Sequence, residues 1–394
     1  MDLDDYIISK RFIKGVPKLS LVYLNMYDII SSLIDSDQLY HKLPKLVTCY
    51  STERTCEFVS MNGNDYIIYD QYLGQTFNML NRIYFNSTDK FDIVSYAYKV
   101  LAEIYHSMSE IEMSQICLIA YTENKEQHET YKNEQDLGIR RQYTYFQEFF
   151  VLMHEVAHWH LSNIDKTSHI CEKRHQLMEY LLYMQKVNDP DRTDAYLNDI
   201  DAVLESPYGS YKEYISNDMY KKLDISLETA HNEFLNVAME MIKSNDDFIE
   251  ECLCDDIATN FLVPLMISKY GIAIEECLQI IYLGLQNLEL LTILRIEALK
   301  KEGDSSSNYL VELLLRNGHF RKVIPCLLGN FNSEGLKKCN ERFTKSNRKY
   351  TKIIKDPVLF LLTNILNDLK NIDTKGNAPI IASNEEYNEL IRKL

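Results

Sequence analysis

FQEFFVLMHEVAHWHLSN, residues 146–163, decides how the middle of this chain folds. Phe146, Phe149, Phe150, Met153 and Ala157 recur at the i, i+3, i+4, i+7 spacing of one helix face, a period that begins near Tyr143. The same stretch carries His154, His158 and His160, three of the chain's ten histidines, together with Glu155. On a helix, His154 and His158 lie one turn apart, so both imidazoles leave the same face and can converge on one ion. Neutral imidazole suits Zn²⁺. Glu155, offset around the helix, can reach a water on that ion without becoming a ligand, which is the logic of H-E-x-x-H.

A catalytic zinc needs a third protein ligand and an open fourth position. The extended pattern H-E-x-x-H-x-x-G-x-x-H is excluded, because Leu161 holds its glycine position and Ile164 its last histidine position. The other route is a carboxylate from a later helix, and IEECLCDDIATNFLVP, residues 249–264, offers Glu250 and Glu251. Cys252 and Cys254 could instead join the two histidines in a closed structural site, which would leave Glu155 idle. His160 turns away from the ligand face. His106, His169, His175, His231 and His319 show no partner pattern and read as solvated or hydrogen-bonded within the fold.

Glu251, Asp255, Ala258, Leu262 and Pro264, read as E-x-x-x-D-x-x-A-x-x-x-L-x-P, resemble the second zinc helix of the ImmA/IrrE-type metallopeptidases. More broadly, the pair of helices is similar to those of thermolysin-like zincins. The resemblance implies that Glu251 is the third zinc ligand; the offset to Pro264 favours it over Glu250. It implies that Asp255 hydrogen-bonds a ligand histidine, which would fix its tautomer and strengthen it as a donor. Two departures stand out: Cys254 replaces a small residue, and residues 159–250 separate the two motifs, where the family keeps them close.

Outward from these helices, few glycines and prolines (12 and 8) favour long helices. Residues 1–40 read as mainly helical. VTCYS, CEFVS and DYIIYD between 45 and 70 are β-prone, and MNGN between the last two is a hairpin signal. Helical patterning returns in FNMLNRIYF and FDIVSYAYKVLAEIYHSM, SQICLIAYT (114–122) reads as a buried strand, and ENKEQHETYKNEQD as a polar loop. Further helices are expected at 170–188, 193–205, 226–244, 247–262 (stopping near Pro264) and 273–301, with GDSSSN (303–308) as a linker. The expected fold is α+β and predominantly helical: a zincin-like core with a small sheet, a helical insertion and a helical C-terminal domain. Its boundaries fall at 1–164, 165–245, 246–302 and 303–394.

A hydrophobic share of 46% with 25% charged residues is globular composition. The net charge of −16 repels phosphate backbones, so no nucleic-acid partner is expected, despite a basic patch around 336–355. No signal-length apolar segment opens the chain, and the longest apolar runs are broken by polar residues, so neither export nor membrane insertion is expected. Nine scattered cysteines without a C-x-x-C pair suggest reduced thiols and a cytoplasmic protein.

These residues point to a zinc metallopeptidase with one Zn²⁺ per chain. Zinc would lower the pKa of a bound water and polarise the scissile carbonyl, with Glu155 carrying the proton to the leaving amine. The family resemblance implies regulated cleavage of a specific protein or peptide, as in stress response or phage defence, with a regulator protein as a possible partner. The substrate would add as a strand to SQICLIAYT or DYIIYD. The alternative is a non-catalytic regulator or interaction protein on a zincin scaffold, with a structural metal.

Overall fold

The β-prone runs between 45 and 70 form a sheet, and their turn shows why. Asn62 (φ 49°) and Gly63 (φ 73°) both hold the left-handed conformation that a two-residue hairpin turn requires. They join β3 (Cys56–Met61) to β4 (Asn64–Asp70) in antiparallel register, with Phe58 opposite Ile67 and Met61 opposite Asn64. β2 (Lys45–Ser51) pairs with the other side of β4 in parallel, Val47 opposite Ile68. A three-residue strand, β1 (Phe12–Lys14), adds antiparallel to β2, giving the order β1-β2-β4-β3. β1 interrupts a region expected to be mainly helical; it lies between α1 (Leu3–Ser9) and α2 (Leu21–Asp35). Three residues carry too little periodicity to be read from sequence.

The structure, a computed structural model, describes residues 3–9, 12–14, 19–35, 43–51, 53–87, 91–127, 137–186, 216–299, 307–322 and 333–362. The expected 193–205 helix, most of GDSSSN and residues 363–394 lie outside them. The described chain is predominantly helical with one small sheet. Its described residues divide into two compact units, those up to 159 with 290–299 and 353–362, and those of 160–289 with 307–322 and 333–352.

In the first unit, α3 (Gln71–Asn86), α4 (Phe91–Ser107) and α5 (Ile111–Gln127) follow the sheet. The expected strand SQICLIAYT is part of α5, and the first residues of the expected polar loop continue that helix. Ser114, Cys117, Leu118 and Tyr121 are buried at a helical spacing hidden in a short apolar run, with Ile116 buried beside them. Ser114 Oγ donates to the Ala102 carbonyl at 2.7 Å, fastening α5 to α4.

α6 (Leu137–Ser162) carries the opening motif. Phe149, Phe150, Leu152, Met153 and Ala157 are buried along it, and polar contacts fix its rotation. Asn81 Nδ2 on α3 donates to Gln147 Oε1 at 2.8 Å. Tyr23 and Tyr69 both donate to Glu148 Oε1 at 2.8 Å, linking α6 to α2 and β4. Gly74 lets α3 come close, because a methyl group there would overlap the Glu148 carboxylate.

Burial holds the Glu148 carboxyl above its ordinary value of 4.5, although the two phenols pull the other way. The folded state therefore binds this proton more tightly than the unfolded chain. The resulting stabilisation is present below about pH 4.5 and is lost as pH rises through the raised value. Glu148→Gln should remove that part of the pH dependence while its amide oxygen still accepts from both tyrosines. Urea midpoints from pH 4 to 8 check this: the wild type should show the extra loss, and the Gln variant should not.

The second unit packs α7 (Thr167–Lys186), α8 (Asn217–Ser244), α9 (Asp246–Tyr270) and α11 (Ser307–Lys322) around Leu177, Leu235, Ile242, Phe248, Ile249 and Leu315. The Asn245 side chain caps α9 by accepting from the Phe248 N–H at 3.0 Å. α9 does not stop near Pro264, as expected, but runs to Gly271, which ends it at φ 66°. Pro264 and Asn260, whose carbonyl loses its partner there, are both exposed, so water can replace the missing bond.

α10 (Ile274–Leu299) contains a stretch, Ile274–Ile296, long and apolar enough to cross a bilayer, contrary to the expectation that every such run is broken. Some 83% of that window is buried inside the protein, as in an ordinary core helix. α12 (Ser333–Tyr350) carries much of the basic patch, and Lys338 and Lys337 there pair with Glu334 and Glu341. A π-helical turn, Thr351–Lys355, leads into α13 (Asp356–Phe360).

Candidate metal centre

α6 presents His154 and His158 one turn apart, and their Nε2 atoms stand 3.2 Å from each other with the rings tilted by 74°. Two imidazole nitrogens on one tetrahedral zinc, at bonds of about 2.0–2.1 Å, would lie roughly 3.3 Å apart. The pair therefore already has the bite of a chelate, and the donor chemistry fits zinc. His154 and Glu155 are buried and His158 is partly buried. That setting would strengthen a metal–ligand bond and exclude bulk water from it.

Glu155 is tied to the sheet. Its Oε2 accepts the Phe58 N–H of β3 at 2.7 Å, so this backbone donor points outward from the strand, away from β4. The thiol of Cys56, two residues earlier, is pushed well above its ordinary value by burial first and then by the charge of Glu155. Both observations place the carboxylate against the outer strand. They also correct the expected substrate edge. SQICLIAYT is helical, and DYIIYD lies between β2 and β3, so β3 is the outer strand on that side.

The second unit holds the other predicted residues, all on α9. Glu251 and Cys254 lie three positions apart and so share a helix face. Cys254 is buried within this unit, on a helix whose other face packs into its core. Glu250 forms an ion pair with Lys166. Both oxygens of Asp255 accept from Arg316 of α11, from Nε and Nη2 at 2.9 Å each, and Arg316 Nη1 lies 3.1 Å from Glu251 Oε2. Burial alone would lower the Arg316 pKa, but the Asp255 and Glu251 charges outweigh it and raise it. Next to this pair, Asp256 binds Lys173 and accepts a His319 contact at 3.0 Å, a buried ionic cluster joining α7, α9 and α11.

Sequence reasoning missed Arg316. It ends the apolar run YLVELLLR, and nothing in local spacing marks which carboxylates it meets after folding. His319 is hydrogen-bonded within the fold as expected, and His175 is an exposed partner of Glu179. His160 has its pKa lowered by burial first and by His169 second.

No family model matches the chain, and no curated protein or solved structure matches it. Fold and site together define a predominantly helical α+β protein with a small sheet and, on one helix, a histidine pair spaced to chelate a metal ion.

Proposed function

We propose that this chain is a zinc-dependent metallopeptidase that cuts a specific protein or peptide, built on a zincin-like core with a helical insertion and a helical C-terminal domain. His154, His158 and Glu251 are its metal ligands, and Asp255 acts from outside the ligand set. The observation that carries this is the 3.2 Å Nε2–Nε2 spacing on one helix, with Glu155 beside it. When bound, zinc supplies an acidified water and polarises the scissile carbonyl. Glu155 takes the proton of the attacking water as the new C–O bond forms. It then delivers that proton to the amine nitrogen as the C–N bond breaks. The Phe58 N–H on one carboxylate oxygen orients Glu155 for both transfers. The substrate chain lies along the outer edge of β3, where main-chain groups can pair with it.

A cytoplasmic setting agrees with the eight described cysteines, all of them free thiols. The acidic surface disfavours nucleic acid as a partner.

The second reading is a non-catalytic scaffold with a structural metal, and Cys254, a buried soft donor on the same helix as Glu251, favours it. Zinc titration of Glu251→Ala and Cys254→Ser separates the two. The peptidase requires affinity to collapse in the first variant and persist in the second. The reverse pattern would establish the structural site.

A further inference from the structure

Glu148 and Glu155 share one stripe of α6, two helical turns and about 10 Å apart along its axis. Both carboxylates reach the sheet. Glu155 accepts the Phe58 N–H of β3 at 2.7 Å, and Glu148 accepts the Tyr69 hydroxyl of β4 at 2.8 Å. The Glu148 contact is the firmer anchor. Its Oε1 takes a second phenol, Tyr23 of α2, also at 2.8 Å, and the two tyrosine rings pack with their centroids 4.9 Å apart. Burial first, and then the Glu148 charge, raise both phenols above their ordinary value of 10.0, so each keeps its proton and donates. α3 closes another side, since a methyl group at Gly74 would overlap Glu148 Oε1 and stand 3.2 Å from the Tyr23 oxygen. An oxygen held by two donors and walled by a helix has little room to shift, and the rigid turns of α6 carry that constraint on to Glu155.

We infer that Glu148, clamped by Tyr23 and Tyr69, is a positioning residue for Glu155: it fixes the rotation and height of α6 on the sheet, so that the Glu155 carboxylate meets the Phe58 N–H. The consequence for catalysis rests on the reading of Glu155 as the general base; the placement itself does not. A base aligned in advance gives up less freedom as it takes the proton, and a misplacement of about 1 Å costs about 100-fold in rate.

Hydrogen exchange of the Phe58 amide, followed by NMR on the full chain carrying isotope-labelled phenylalanine, reads this contact. Its resonance is picked out among the 15 phenylalanines by its loss in Phe58→Tyr. Tyr23→Phe/Tyr69→Phe/Glu148→Met removes donors and acceptor together and leaves apolar groups of similar size, so the fold should survive. Phe58 exchange should nevertheless rise about 10–100-fold, the worth of one hydrogen bond to a charged acceptor. Glu148→Gln, whose amide oxygen still accepts from both phenols, should stay within about twofold of the wild type. Glu155→Ala should raise exchange as the triple change does, and combining the two should raise it no further. An equal rise from the triple change in both backgrounds would mean a general loosening of the sheet edge, and it overturns the inference. So does a triple variant within about twofold of the wild type, or a Glu148→Gln variant that loses protection as the triple variant does. A Phe58 amide that stays protected in Glu155→Ala overturns it as well. Should the triple variant not fold, Tyr23→Phe/Tyr69→Phe gives the same comparison. Cleavage plays no part in these readouts, so a failure of the peptidase reading would leave them unchanged.

Discussion

Glu155→Gln should abolish peptide cleavage while leaving zinc in place. The amide keeps the size of the carboxylate, and its oxygen can still accept the Phe58 N–H, so α6 and β3 should pack as before. What disappears is the group that takes a proton from the attacking water, a change expected to lower turnover by about 10²–10⁴-fold. Zinc content at one per chain and an unchanged melting temperature would show that only the chemistry was lost. An unaltered cleavage rate would mean that Glu155 is not the base.

His154→Ala and His158→Ala should act one step earlier, on the metal itself. Each removes one arm of the 3.2 Å chelate, so zinc affinity should fall further than the roughly 10–100-fold typical of residues that merely orient a ligand. His154 is buried on a helix packed by Phe150 and Met153, so some loss of fold stability should accompany its removal. His158 is more exposed, so His158→Ala gives the cleaner comparison. His160→Ala, by contrast, should leave zinc binding unchanged, since His160 neighbours His169 and takes no part in the chelate.

Features were legible in the sequence where short-range chemistry decides them. Asn62-Gly63 marked the hairpin because few other pairs tolerate two left-handed residues in succession. The α6 histidines were legible because helical spacing alone sets how far apart they stand. SQICLIAYT misled because an apolar run of that length fits a buried strand as well as a helix. Its packing against α4, fastened by Ser114, settled the matter. Pro264 misled because its cost depends on which carbonyl it strands, and that of the exposed Asn260 can turn to water. The Arg316 contacts join α9 to α11 across an intervening helix, so no local window contains them.

The ligand set can be read directly by X-ray absorption at the zinc edge on the zinc-loaded full-length protein. Two imidazoles, the Glu251 carboxylate and a water predict a shell of only nitrogen and oxygen at about 2.0–2.2 Å, perturbed when a small anion replaces the water. A sulfur neighbour at about 2.3 Å in a closed shell that ignores added anions would contradict it, leaving a structural metal where a hydrolytic one is proposed.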